Sequence, residues 1–127
     1  YSSKEAVFLL GKRNDVPALL ATADTFILAT FFEGMSNAIM EAMASRLSII
    51  TTNIEENQEL ITDHETGLLC PPGDSAALDT ALEVLFKDSP LRASLGQNAA
   101  LSIEQNYALP QAASAWTSYY AAMSQPL

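Results

Sequence analysis

The chain of 127 residues carries 15 acidic against 6 basic side chains, a net charge of −9, and 49% of its residues are hydrophobic. That composition supplies one core and marks a globular domain, not a disordered chain, while the acidity disfavours nucleic acid and anionic membrane as partners. The acidity is uneven, with residues 1–50 at net −1 and residues 51–127 at net −8. No apolar run approaches the ~20 residues of a spanning helix, and no leader pattern is present, so the expectation is a soluble, cytoplasmic protein. A single cysteine, Cys70, allows no internal disulfide and suits a reducing compartment. The chain opens at Tyr1 in mid-pattern, which points to a piece of a longer protein.

In chain order, the apolar run at residues 7–10 predicts a strand ending at Gly11, followed by a short helix over 16–23 and a strand over 25–29. A helix over 37–45 comes next, with Ser36 or Asn37 as its cap, then a β-branched strand over 48–52. A short helix at 57–61 precedes the turn Asp63-His64-Glu65 and a strand over 66–69. After Pro71-Pro72-Gly73, Asp74 or Ser75 caps a helix reaching about residue 86, and Pro90 opens another reaching about residue 106. A last helix after Pro110 places Trp116, Tyr119, Tyr120 and Met123 on one face, which packs against the sheet or, left uncovered, favours weak self-association. Strands alternating with helices predict an α/β, Rossmann-like domain spanning 1–127, with a parallel sheet, flanking helices and a helical C-terminus.

Glu33 and Glu41 flank the start of the helix over 37–45, at a strand-to-helix junction of the kind where open α/β sheets bind ligands. With Ser36 as cap, Glu33 lies in the loop and Glu41 in the second helical turn. The free amides and partial positive charge of the helix start favour a phosphate. Two carboxylates repel phosphate and only accept hydrogen bonds, so they need hydroxyl groups attached to it, as in ribose or a hexose. A nucleotide sugar supplies all of these. The alternative is that Glu41 lies on the water side of an amphipathic helix whose Ala38, Ile39, Ala42 and Met43 face the core, in a polar stripe with Asn37 and Ser45.

The ordered segments Glu33 through Ala44, then Glu59-Leu60-Ile61, Thr66-Gly67-Leu68-Leu69 and Pro72-Gly73-Asp74, resemble the donor-binding C-terminal half of retaining GT-B glycosyltransferases of the family 4 type, the glycosyl transferases group 1. The resemblance runs from about Val7 to about Tyr107. It implies that Glu33 contacts the donor sugar and is the catalytic residue, that Gly34, Met35, Ser36 and Asn37 offer loop amides to sugar and phosphate, and that Glu41 holds the ribose hydroxyls. It also implies a base pocket along Gly11-Lys12-Arg13-Asn14-Asp15, with Arg13 against the base face and Asp15 accepting from a base N–H. Asp15 as the helix cap is the plainer alternative.

The implied activity is transfer of a sugar from a nucleotide diphosphate sugar to an acceptor hydroxyl with retention. No cofactor and no metal take part, and the acceptor saccharide, lipid or small molecule is met through a second, N-terminal domain. The implied context is polysaccharide or glycoconjugate biosynthesis in the cytoplasm, with the full enzyme peripheral at the membrane. The fragment alone is expected to be inactive, since the family's Arg and Lys for the diphosphate fall upstream of Tyr1.

Three departures stand out. Arg46 and Ser48 replace a usual Gly and Pro, and Glu55-Glu56 replaces Gly-Gly. If the position of Arg46 demands positive φ, the arginine is strained there. The lone His64, beside Asp63 and Glu65, reads as a solvated turn rather than a general base or metal ligand. A non-catalytic interaction module with the same fold is the rival from another class, and the lack of a Gly-rich phosphate loop disfavours an NAD-type domain.

Overall fold

A computed structural model of the protein describes residues 6–107. The helix expected after Pro110, with Trp116, Tyr119, Tyr120 and Met123, lies outside the described residues. Eight elements follow one another: α1 (Val16–Thr22), β1 (Thr25–Leu28), α2 (Asn37–Ala44), β2 (Ser48–Thr52), α3 (Glu55–Leu60), β3 (Leu68–Cys70), α4 (Ser75–Lys87) and α5 (Ser89–Tyr107). The strands form one parallel sheet in the order β1-β2-β3, with Ile27 opposite Ile50 and Ile50 opposite Leu68.

The central strand β2 is buried along its whole length, as a parallel strand covered on both faces must be. Its alternation divides the core in two. Ile49 joins Ile39, Ala42 and Met43 of α2, Leu60 of α3 and Ala99 of α5, whereas Ile50 joins Leu68, Cys70, Leu85 of α4 and Leu95 of α5. Burying each isoleucine contributes about 1.5–3 kcal/mol. Helix α5 reaches both clusters, so it ties the two faces of the sheet together.

Caps set the helix starts. Ser36 Oγ accepts from the Ile39 amide at 3.3 Å and Asp74 Oδ1 from the Ala77 amide at 2.9 Å, as their side chains predict. Asp88 does the same for the amide of Leu91 at the start of α5. Helix α3 begins at Glu55, two residues before the expected start, because Glu55 and Glu56 stand in its first turn, where their charge complements the helix dipole. The last strand begins at Leu68 and not at Thr66, whose hydroxyl instead accepts from the Thr62 amide at 2.8 Å.

The strand expected at residues 7–10 is a correction. Val7, Phe8, Leu9 and Leu10 lie outside any strand, and all four are exposed. An apolar run becomes a strand only where a ladder accepts it, and α1, which buries none of its residues, does not carry this run onto the sheet. Ala38 also departs from expectation, being exposed, while Met40 is half-buried.

The helix α2 ends as the glycine-to-arginine departure suggests. Arg46 has φ 61°, in the left-handed region, and its amide donates to Met43 O at 3.0 Å. Arg46→Gly is therefore expected to raise stability by about 0.5–1 kcal/mol, the left-handed strain relieved exceeding the entropy glycine loses on folding. Urea unfolding of the two proteins at equal slope checks it; an unchanged or lower midpoint would contradict the strain.

Candidate functional site

The candidate site is built on the segment that leaves β1 and enters α2. Strand β1 ends at Leu28, and residues 29–36 cross the carboxyl edge of the sheet before Ser36 caps α2. The Ser36 side chain takes one of the first amides of α2. Those of Asn37 and Ala38 have no intrahelical carbonyl to donate to, so the helix mouth keeps donors for an anion.

Glu33 sits three residues before the cap and is half-buried, whereas Glu41 lies on the exposed side of α2. Among the described residues no hydrogen bond or ion pair engages either carboxylate, leaving their acceptor capacity open. Asn37 is exposed as well, and Ser45 turns its hydroxyl back to Glu41 O at 2.8 Å, so the polar stripe belongs to the open side of the helix while Ile39, Ala42 and Met43 face the core. Gly34 has open space where a Cβ would stand and no left-handed φ. Neither strain nor packing requires glycine there.

Arg13 and Asp15 find each other rather than the glutamates. Arg13 donates through Nε to Asp15 Oδ1 at 2.6 Å and through Nη2 to Asp15 Oδ2 at 2.5 Å, a bidentate pair. The guanidinium holds the Asp15 carboxyl below its ordinary pKa, and the carboxylate raises that of Arg13. Asp15 occupies the N-cap position of α1, where its carbonyl accepts from Ala18 at 3.0 Å, but its side chain does not cap. Among the described residues no hydrogen bond or ion pair joins this pair to residues 33–41.

His64 occupies an exposed turn with φ 59°, its Nε2 3.7 Å from Asp63 Oδ2. Among the described residues no group of three or more His, Cys, Asp or Glu is arranged to hold a metal, and no helix is long and apolar enough to cross a membrane. Burial first, then the charges of Asp63 and Asp74, push the Cys70 thiol up, which makes it an inert core side chain.

A pocket of about 200 Å³ opens beside the motif loop, between the carboxyl ends of the strands and the start of α4. Phe31, Thr52, Cys70 and Leu78 are among its walls, but neither Glu33 nor Glu41 is. Sequence reasoning did not foresee this hollow, because its walls come from four separate segments. Nor did it foresee Asn57, which it took for a helix start. Asn57 is fully buried and donates to Thr51 Oγ1 and to Thr52 O, each at 2.9 Å.

Known proteins resemble this chain in sequence and in fold. The "UDP-Gal:alpha-D-GlcNAc-diphosphoundecaprenol alpha-1,3-galactosyltransferase" of Escherichia coli is 36% identical over 88 residues, covering 69% of this chain and 23% of that protein. The "N-acetyl-alpha-D-glucosaminyl L-malate synthase" of Bacillus anthracis is 30% identical over 117 residues, covering 92% of this chain and 31% of that protein. This chain thus spans 23% and 31% of the length of these two relatives.

Among solved structures, Anabaena HepE in complex with UDP matches with a TM-score of 0.79 at 25% identity, over 86% of this chain and 31% of that one. The C-terminal domain of the glycosyl transferase group 1 family protein LpcC from Francisella tularensis matches with a TM-score of 0.72 at 29% identity, over 81% of this chain and 53% of that one. The α/β architecture is that of GT-B glycosyltransferases. Residues 2–88 match the family described as Glycosyl transferases group 1, and the chain belongs to that family.

Proposed function

We propose that the chain is the donor-binding lobe of a retaining, two-domain glycosyltransferase and holds a nucleotide diphosphate sugar over the N-terminus of α2. The observation that carries this reading is the pair of unengaged carboxylates, Glu33 and Glu41, on either side of a Ser36-capped helix start whose first amides are free. The diphosphate takes the amides of the helix start. Glu41 accepts from the ribose hydroxyls, and Glu33 accepts from hydroxyls of the transferring sugar and is the catalytic residue. The amides of Gly34, Met35, Ser36 and Asn37 line the same path.

Arg13, its fork held by Asp15, offers a planar face to the base, and Asp15 retains lone pairs for a base N–H. Catalysis rests on positioning the sugar and stabilising the departing diphosphate, with no metal. The acceptor, a saccharide, a lipid or a small molecule, meets the donor from a second domain, in the cytoplasm at or near the membrane. UDP and UDP-glucose complexes of HepE, and the UDP-Gal and diphosphoundecaprenol in the name of the Escherichia coli relative, support this donor and acceptor chemistry.

NMR titration of the chain with UDP, GDP and ADP tests the donor site. Binding of at least one nucleotide is expected near millimolar, about 4 kcal/mol, with shifts at residues 33–41 and 11–15. Shifts confined to other residues would overturn the reading. Gly34→Ala sharpens it: since the added methyl meets nothing, stability is expected to change by less than about 0.5 kcal/mol, while the methyl obstructs the ligand and weakens binding by about tenfold. An unfolded variant, or one that binds normally, would contradict the role of this glycine.

A further inference from the structure

We propose that Asn57, Thr52 and Thr30 form a hydrogen-bonded strut that fixes the loop carrying Glu33, making Asn57 and Thr52 positioning residues for the donor site; this rests on the reading above. The protons of the strut run in one direction. Asn57 Nδ2 faces Thr52 O, which can only accept, and this fixes the orientation of the amide. The same nitrogen donates to Thr51 Oγ1 at 2.9 Å and lies 3.3 Å from Thr52 Oγ1.

The Thr51 hydroxyl spends its single proton on Leu28 O at 2.8 Å, and the Thr52 hydroxyl spends its own on Thr30 O at 2.6 Å. Thr52 Oγ1 also accepts from the Thr30 amide at 3.3 Å, so it clasps both backbone groups of Thr30. Thr30 Oγ1 then donates to Phe32 O at 2.8 Å and accepts from the Phe32 amide at 3.3 Å, one residue from Glu33.

Beyond β1 the chain has no ladder to hold it. These side-chain bonds replace it, running from a buried residue of α3 across the end of β2 into the loop. Asn57 keeps this orientation although its Oδ1 is buried with no partner among the described residues. A residue serving only the packing of α3 would not need two donations aimed at the strand ends; a strut does.

Thr52→Val keeps the shape and removes the clasp, and Thr52→Ser restores the hydroxyl. Amide hydrogen exchange on the full 127-residue chain is expected to speed up by about tenfold at Thr30 and Phe32, whose amides the strut engages, in Thr52→Val, to return toward wild type in Thr52→Ser, and to stay unchanged at Ile49 and Ala99. UDP, the probe ligand, should bind Thr52→Val about three- to tenfold more weakly, with shifts still centred on 33–41. Wild-type exchange in the loop would overturn the strut, as would an equal rise at Ile49 and Ala99, which marks general destabilisation. A loosened loop with unchanged UDP affinity would overturn the positioning role. Absence of any UDP response in the wild-type chain would sink the donor reading and the positioning role with it, while the exchange comparison still decides whether the strut exists.

Discussion

Gly96→Ala is expected to destabilise the fold by about 3 kcal/mol, the upper end of the roughly 1–3 kcal/mol that overpacking costs. A Cβ at Gly96 would stand 2.1 Å from Arg46 O, 2.9 Å from Arg46 C and 3.2 Å from Leu47 C. All three atoms are backbone, so no rotamer change relieves the clash. Either α5 lifts away or the corner between α2 and β2 moves. Lifting α5 disturbs both clusters, since Leu95 belongs to one and Ala99 to the other. Moving the corner strains Arg46, already at φ 61°, and pulls on the bond from the Leu47 amide to Ala42 O.

Alanine's better helix propensity returns only about 1 kcal/mol, and the total stability of such a domain is about 5–15 kcal/mol. Thermal unfolding should therefore show a Tm lower by on the order of 10 °C. A Tm within about 2 °C of wild type would mean that α5 does not touch the corner as described.

The contrast between Gly96 and the strand β2 shows what a sequence makes legible. Residues 48–52 were recognisable because a β-branched run between polar turns carries its own signal, and the structure returns the same five residues. Ser36 and Asp74 were recognisable as caps because capping is local chemistry between neighbours three positions apart. Gly96 sits in a helix where, by local rules, glycine is only a weak choice. Its reason is a backbone fifty residues away.

Residues 7–10 fail in the opposite way. Their local signal is that of a strand, but a strand is a relation between two segments, and the described sheet gives this run no partner. The same division holds at the site. Glu33 and Glu41 announce themselves by their spacing about a cap, whereas the bidentate pairing of Arg13 with Asp15 was not expected, although the two charges stand two residues apart. The bonds that join Asn57 to Thr52 and Thr52 to Thr30 span separate elements. So does the pocket behind Phe31.

Glu41→Gln is expected to weaken nucleotide sugar binding by roughly tenfold to a hundredfold in the complete enzyme, because hydrogen bonds to a charged acceptor are worth about 1.5–3 kcal/mol. The substitution keeps the shape, and an amide still accepts through one oxygen. It replaces the other by a donor, which on the proposed reading would face a ribose hydroxyl better suited to a carboxylate. Folding should change by less than about 0.5 kcal/mol, since Glu41 is exposed on α2 and engages no partner among the described residues.

Glu33→Gln is expected to act on a different quantity. Glu33 is half-buried in the loop ahead of the cap; on the proposed reading it holds the transferring sugar, so its loss is expected to lower kcat more than it raises KM for the donor. Calorimetry with UDP-sugars and steady-state kinetics on both variants separate the two roles. If Glu41→Gln left donor affinity unchanged, the carboxylate would be the solvated side of an amphipathic helix. The polar stripe of Asn37, Glu41 and Ser45 would then face only water, and the donor site would have to be sought elsewhere on the carboxyl edge of the sheet.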